Sequence, residues 1–161
     1  MVVALRRAFV AASLTWAALL VLVPFLASRS HASNLDTAIV VAVYGVGSLV
    51  CHQLPARSFR LWNTQLPVCA RCTGIYVGAA ACAAWVAARG RRSGAAPSHI
   101  VGAGAPVARV LAVAGVPTAA TLVYEWTTGD MPSNALRFVA GIPLGIVVVW
   151  LVVSATADQV N

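Results

Sequence analysis

The chain has 161 residues, of which 60% are hydrophobic and only 9% are charged. Because soluble domains are about 25% charged, this composition excludes a water-soluble globule and predicts a protein that folds in a lipid bilayer. Eleven arginines against four acidic residues give a net charge of +7, but the arginines lie mostly between apolar runs. This placement favours membrane topology over nucleic-acid binding as the reason for the basic balance.

Five apolar segments predict an all-α polytopic membrane helical bundle of about five transmembrane helices in a single domain, because a helix needs about 20 apolar residues to cross a bilayer. The second segment has the shortest clean apolar run and includes Asp36 and Thr37. Arg6 and Arg7 precede the first apolar run, so a cleaved signal peptide is the alternative there, although the length of the run favours a retained helix. The predicted spans are residues 8–27, 36–51, 70–88, 110–126 and 136–153.

Alternation of five spans predicts which segments share a face of the membrane. One face is expected to hold residues 1–7, 51–69 and 127–135, and the other to hold residues 28–37, the linker 89–109 and the C-terminus. These faces carry six and five arginines, so the positive-inside rule barely distinguishes them. When the four arginines near the cysteines are left out as site residues, the first face carries two arginines and the other face five. This difference weakly favours an extracytoplasmic location for the first face in the cell membrane.

The segment from Cys51 to Gly78 concentrates the chemistry-bearing residues. It contains a Cys-His pair at Cys51 and His52 and a Cys-x-x-Cys at Cys69 and Cys72. Three sulfurs and one imidazole nitrogen form a ligand set for tetrahedral zinc. Adjacent side chains on a helix diverge by about 100°, so Cys51 and His52 bind one ion only if the backbone turns there. The alternative zinc site has three cysteines and an open fourth position, with His52 beside it.

Two further interpretations of the motif loop, residues 51–71, stay open. Cys69 and Cys72 at the start of a helix are typical of a membrane thiol–disulfide oxidoreductase, because a helix N-terminus favours the thiolate. The cysteines also suit an inert role, as apolar fillers or as a single disulfide. Cys82, among alanines in the third span, is predicted to be such a filler.

Charged residues near the same face predict a second binding function. Glu125 closes the fourth span and Arg137 opens the fifth, and the short turn between them brings both to a similar depth. An unpaired charge there costs about 2.5–3.5 kcal/mol, so the two are expected to pair with each other or to bind a ligand. Asn134 is expected to cap the fifth helix. An anion-handling or lipid-handling transporter or enzyme is the matching alternative function, with the arginines Arg57, Arg60, Arg71 and Arg137 holding the anion.

Small-residue stripes occur in two of the predicted spans. Gly74 and Gly78 lie four residues apart in the third span, as do Gly141 and Gly145 in the fifth. Such stripes allow helices to approach closely in lipid. They predict packing of the third span against the fifth, with contact between two copies of the chain as the other use.

Four blocks of the sequence resemble one known family. They are CHQLPARSF at 51–59, PVCARCTGIYVG at 67–78, Ser133-Asn134-x-x-Arg137 and Gly141-x-x-x-Gly145. Together they resemble the small prokaryotic integral membrane proteins grouped as domain of unknown function 2085, over roughly Val43 to Val148. The resemblance implies a membrane location and no defined activity. That family usually has an Asp-Gly pair near the end of the fourth span, where this chain has Glu125 and Trp126, which keeps a carboxylate and loses the glycine.

Overall fold

The computed structural model describes residues 2–31, 33–93 and 107–157, which form an all-α helical bundle with five helices. Four helices are long and apolar enough to cross a membrane, whereas α2 has only 17 residues. The predicted helical bundle is confirmed. The elements are α1 (Val2–Ala27), α2 (Asn34–Val50), a 3-10 turn (Pro55–Arg57), β1 (Arg60–Leu61), β2 (Thr64–Gln65), α3 (Ala70–Ser93), α4 (Val107–Thr128) and α5 (Asn134–Ala157).

The four long helices extend beyond the predicted spans, because helical hydrogen bonding continues past the apolar run into polar residues. The difference is largest around the predicted linker 89–109. There α3 continues to Ser93 and α4 already begins at Val107. The remainder of that linker, residues 94–106, lies outside the described residues, as do the last four residues of the chain.

Helices α3 and α5 pack closely and run in the same direction. A Cβ atom added to Gly74 would lie 1.9 Å from the backbone oxygen of Phe138, and one added to Gly78 would lie 2.3 Å from that of Ile142. Both residue numbers increase together along the contact, so the helices are parallel. The predicted packing of these two spans is confirmed. Both glycine stripes are covered within the chain, each by the backbone of the facing helix.

Helix α1 runs antiparallel to α3. Its early residue Phe9 packs against the core around Val86, its middle residue Trp16 meets Tyr76 edge to face, and Phe25 near its end meets Trp62. Residue numbers in α1 therefore rise as those in α3 fall. The core that Phe9 joins also contains Cys82, which is buried among apolar side chains as predicted; its other members are Ala83, Val149 and Val153.

Helix α4 packs against α5 and runs antiparallel to it. Thr118 donates a side-chain hydrogen bond to the backbone oxygen of Ala140 at 2.8 Å, and Glu125, two turns later in α4, pairs with Arg137 at the start of α5. Consequently α1 and α4 end, and α3 and α5 begin, on one side of the bundle. This side carries residues 51–69 and is named the cysteine face; the other side is named the opposite face.

The distribution of segments between the faces differs from the predicted alternation. Helix α2 begins seven residues after the last residue of α1 and leads to Cys51, on the same side, so it does not carry the chain to the opposite face. Its 17 residues rise only about 26 Å, less than the hydrocarbon thickness of about 30 Å. Residues 2–7 therefore lie at the opposite face and residues 28–31 at the cysteine face, the reverse of the prediction.

Candidate metal centre

The position of Cys51 is set by the end of α2. Its backbone N–H donates to the oxygen of Gly47 at 2.9 Å and closes the last turn. Two residues later Gln53 has a φ of +49°, in the left-handed region, so the chain turns sharply there. The side-chain amide of Gln53 donates to the backbone oxygens of Tyr44 and Pro67, both at 2.8 Å. These bonds hold the chain that precedes α3 against α2.

A small hairpin occupies the segment between the cysteine positions. Strands β1 and β2 pair antiparallel, and the two residues that connect them, Trp62 and Asn63, have φ values of +49° and +61°. Positive φ at both positions defines a type I′ turn. The side-chain amide of Gln65 donates to the backbone oxygen of Gln53 at 2.6 Å. The hairpin was not predicted, although asparagine in a two-residue connection is a usual sign of this turn.

The Cys-x-x-Cys motif begins helix α3. Cys69 directly precedes the helix, and its backbone oxygen accepts hydrogen bonds from the N–H and the hydroxyl of Thr73, at 2.9 and 3.0 Å. Cys72 lies in the first turn, on the same side as Cys69. The backbone N–H of Cys69 donates to the Sγ of Cys51 at 3.2 Å. The three sulfurs of Cys51, Cys69 and Cys72 lie within 4.8 Å of one another.

The sulfur positions match the requirements of a zinc ion. With Zn–S bonds of about 2.3 Å, tetrahedral coordination separates two sulfurs by about 3.8 Å. No two of the three sulfurs are more than 4.8 Å apart, so none of the separations exceeds that value by more than about 1 Å. Cys51, Cys69 and Cys72 are all partly buried. The three thiols therefore supply three corners of a tetrahedron and leave the fourth corner to another ligand.

The thiol of Cys69 is the acidic member of the group. A hydrogen bond from the Cys72 thiol, and further bonds from the Cys51 thiol and the backbone N–H groups of Cys72 and Arg71, lower the pKa of Cys69 to about 5, against the opposing effect of burial. Hydrogen bonds to sulfur stabilise the thiolate because they share its negative charge. A thiolate is the form of cysteine that binds a metal or attacks a disulfide.

His52 does not join the three sulfurs. It is exposed, and the group of side chains that lie close enough to share a metal ion contains Cys51, Cys69 and Cys72. The left-handed backbone position that follows the helix is at Gln53 and not at His52. Of the two predicted forms of the site, the geometry matches the one with three cysteines.

Three arginines surround a single carboxylate on the same face. Glu125, buried at the end of α4, forms ion pairs with Arg57, with Arg71 at 3.9 Å and with Arg137 at 3.1 Å. The expected pairing of Glu125 with Arg137 is therefore present. Arg71 also donates to the hydroxyl of Thr121 at 3.1 Å. Arg71 lies between the two cysteines of the motif, so it links the sulfur cluster to the carboxylate.

Two other candidate residues lie apart from this carboxylate. Arg60 is exposed on β1 and forms no ion pair within the described part of the chain. Asn134 was expected to cap α5, but the cap is Ser133, whose hydroxyl accepts from the N–H of Leu136 at 3.2 Å. The side chain of Asn134 instead donates to the backbone oxygen of Ser58 at 3.4 Å, because the hairpin segment packs over the start of α5.

Two residues that support the site had no predicted role. Gln53 directly follows the Cys-His pair, yet its amide acts on backbone groups that are 9 and 14 residues away. Thr121 is a buried polar residue of α4, and a hydroxyl within an otherwise apolar run is the signal that identifies it. Polar side chains inside a membrane helix usually face the bundle and bind a partner.

The family expected from the sequence motifs is confirmed. The family model described as predicted membrane protein (DUF2085) matches residues 51–151, which is most of the chain. The match includes the three clustered cysteines and the three arginines around Glu125. It begins at Cys51, so α1 and α2 precede the matched region.

Two curated relatives align with shorter stretches. An uncharacterized protein of Methanocaldococcus jannaschii is 46% identical over 57 residues, which are 35% of this chain and 36% of that protein. An uncharacterized protein of Methanothermobacter thermautotrophicus is 53% identical over 30 residues, 19% of this chain and 27% of that protein. The chain thus spans about a third of the length of the curated relatives it matches. No solved structure matches the chain.

Proposed function

We propose that this chain, which belongs to the DUF2085 family of predicted membrane proteins, binds one zinc ion through Cys51, Cys69 and Cys72 at the cysteine face. The observation that carries the proposal is the approach of three sulfurs to within 4.8 Å of one another, from segments 18 residues apart in sequence. Three thiolates and one further ligand form a common tetrahedral zinc site.

The architecture around the sulfurs supports binding of a metal. Cys51 ends α2 and Cys69 begins α3, so an ion held by both would fasten the short helix and the hairpin segment to the bundle. The acidic thiol of Cys69 supports the same role, because a metal binds the thiolate without first having to displace a proton. The ion therefore shapes the cysteine face, and its fourth corner is free to accept a ligand.

Metal analysis of the purified protein tests this proposal. We expect one zinc per chain in the wild type and less than a tenth of that in the single variants Cys51→Ala, Cys69→Ala and Cys72→Ala. Cys82→Ala is the matched control, because Cys82 lies in the apolar core between α3 and α5 and should leave the zinc content unchanged. Absence of stoichiometric metal from the wild type, or its full retention in a Cys69→Ala, Cys72→Ala double variant, contradicts the proposal.

Thiol–disulfide exchange is a second candidate, favoured by the lowered pKa of Cys69 at the start of α3. In this reaction the Cys69 thiolate attacks a substrate disulfide, and Cys72 then displaces the bound substrate thiol. Two electrons pass to the substrate, which leaves with two thiols, while Cys69 and Cys72 become a disulfide. Thiol alkylation separates the candidates. Zinc-bound cysteines react only after chelation, whereas a redox pair loses both thiols on oxidation and regains them on reduction.

The distribution of arginines supports an orientation for this multi-pass membrane protein, with the cysteine face outside the cytoplasm. Five arginines lie at the cysteine face; three of these pair with Glu125, which leaves Arg29 and Arg60 as topology signals. The opposite face carries six, so the count of six against two favours the opposite face as the cytoplasmic one. These six are Arg6, Arg7, Arg89, Arg91, Arg92 and Arg109.

A further inference from the structure

We propose that the arginines around Glu125 bind the phosphate group of an anionic lipid whose acyl chain lies in the apolar groove between α4 and α5. The two parts of this site are the arginine cluster, defined as Arg57, Arg71 and Arg137, and the groove beside it. The proposal does not depend on zinc, because none of these residues belongs to the sulfur cluster.

The arginine cluster carries more positive charge than its carboxylate neutralises. Three guanidinium groups pair with the single carboxylate of Glu125, which leaves two uncompensated positive charges. Unbalanced charge at the edge of a membrane is costly, and arginines in such places usually face a partner. A phosphate monoester, with a charge of about −1.5 to −2 at pH 7, would balance these two charges.

The guanidinium groups also have unused hydrogen-bond donors. The side chain of Arg137 is only 2% exposed, and its Nε and Nη1 atoms, like Nε of Arg71, have no hydrogen-bond partner among the described residues. A guanidinium has five N–H donors in a planar fork that suits phosphate oxygens. Arg57 has a side chain that is 39% exposed, so a headgroup can approach the cluster from the cysteine face.

An apolar groove begins beside this cluster and follows the seam between α4 and α5. It has a volume of about 580 Å³ and extends from Pro132, at the cysteine face, to Pro143 in the middle of α5. Within α5 the lining runs from Leu136 to Pro143, which corresponds to about 11 Å along the helix. A second groove continues from Pro143 to Arg109 near the opposite face. A lipid tail parallel to the helices matches this length and apolar lining.

Two residues connect the groove to the cluster. Thr121 lines the groove and accepts the hydrogen bond from Arg71, and Leu136, also in the lining, precedes Arg137. A headgroup at the cluster and a chain in the groove therefore belong to one molecule. A soluble anion would leave the groove unused, and a neutral lipid would leave the charge unbalanced. A lipid with a phosphate headgroup would both fill the groove and balance the charge of the arginine cluster.

Binding of dioleoyl phosphatidic acid to the full-length, delipidated protein in neutral detergent tests the proposal. Native mass spectrometry should show one bound lipid per chain, at least about tenfold tighter than dioleoyl phosphatidylcholine, a difference of about 1.4 kcal/mol. Arg57→Gln should weaken binding of phosphatidic acid about tenfold or more, because the headgroup loses its exposed guanidinium. Arg60→Gln is the matched control and should bind as the wild type does, since Arg60 lies outside the cluster. Arg57 is chosen because replacing the buried Arg137 risks unfolding.

The tail is tested separately. Ala120→Trp fills the groove from its exposed side and should weaken binding of phosphatidic acid, whereas Ala119→Trp, next to it but outside the lining, should not. Equal affinity for the two lipids, or wild-type affinity in Arg57→Gln, overturns the proposal. Wild-type affinity in Ala120→Trp, or displacement of the lipid by equimolar inorganic phosphate, also overturns it in favour of a soluble anion. Zinc content measured on the same samples tests the metal proposal independently.

Discussion

The backbone N–H of Cys69 donates a hydrogen bond to the Sγ of Cys51 across 3.2 Å, and this bond joins residues 18 positions apart. The end of α2 is thereby joined to the start of α3, with the Cys51 sulfur as the hydrogen-bond acceptor. A backbone hydrogen bond therefore holds the side chain of Cys51 beside Cys69, although the two residues belong to different elements.

In protein from which metal has been removed by chelation, we expect Cys69 to be alkylated by iodoacetamide at nearly the same rate at pH 6 and pH 8. Its pKa is lowered to about 5, so it is a thiolate at both values. An ordinary thiol would gain reactivity on the order of 100-fold over this interval. The stability contributed by the thiolate is fully present above its ordinary pKa, declines as the pH falls, and is lost below about pH 5. Mass spectrometry of the Cys69 peptide measures the rate; an ordinary pH profile would contradict this prediction.

Replacement of Gln53 by alanine should destabilise the protein and weaken the zinc site. The substitution removes the two hydrogen bonds that the side chain of Gln53 donates to the backbone oxygens of Tyr44 and Pro67. Their loss should lower the free energy of unfolding by about 1–3 kcal/mol. The expected result is a lower midpoint of thermal unfolding, together with faster loss of zinc to a chelator. Thr64→Ala, in the same hairpin segment, is the control, since the hydroxyl of Thr64 has only a 3.4 Å contact with Trp62. Equal unfolding midpoints for the two variants would refute the role given to Gln53.

Alanine at Gly145 should force α3 and α5 apart. The added Cβ would lie 1.9 Å from the backbone oxygen of Ile75, far closer than two atoms can approach. We expect destabilisation of about 1–3 kcal/mol, as for other overpacked cores, measured by thermal unfolding in detergent. Gly115→Ala in α4 has no atom within 4 Å of the new Cβ and should be neutral or slightly stabilising. If both variants unfold at the wild-type temperature, the close α3–α5 contact is not required.

Replacement of Glu125 by glutamine should leave three arginines without their carboxylate. Breaking a buried ion pair by removal of one partner costs about 3–5 kcal/mol, so the variant should unfold at a markedly lower temperature. The double variant Glu125→Gln, Arg137→Gln should lose less than the sum of the two single losses, because the second substitution removes a buried arginine that the first leaves without its carboxylate. Asp130→Asn, an exposed change on the same face, should shift stability by no more than about 0.5 kcal/mol. Strict additivity would show that Glu125 and Arg137 do not interact.

The orientation of the protein can be measured with single added cysteines and a membrane-impermeant maleimide on intact cells. Cysteine at Asp130, on the cysteine face, should react with the reagent in intact cells. Cysteine at Arg109, on the opposite face, should react only after the cells are permeabilised. The wild type gives the background from native thiols. Reversal of the two patterns would place the cysteine face in the cytoplasm, against the arginine count.

The sequence by itself determined the helices, the close packing of α3 with α5 and the residues of the sulfur cluster. Each depends on a local pattern: an apolar run long enough to cross a bilayer, small residues one helical turn apart, or a Cys-x-x-Cys motif at the start of a helix. The family could be identified from the sequence for the same reason, because its motifs are short blocks of adjacent residues. A pattern of this kind can be recognised without knowledge of where the rest of the chain lies.

The tertiary structure decided which residues meet. The antiparallel course of α1 and the shortness of α2 placed residues 2–7 and 28–31 on the faces opposite to those predicted, because chain direction depends on packing between distant helices. His52 lies outside the group of sulfurs, and Arg57 pairs with Glu125, and no hydrophobic pattern in the sequence predicts either placement. These placements depend on hydrogen bonds and ion pairs between residues that are up to 76 positions apart in sequence. A local sequence pattern contains no information about such partners.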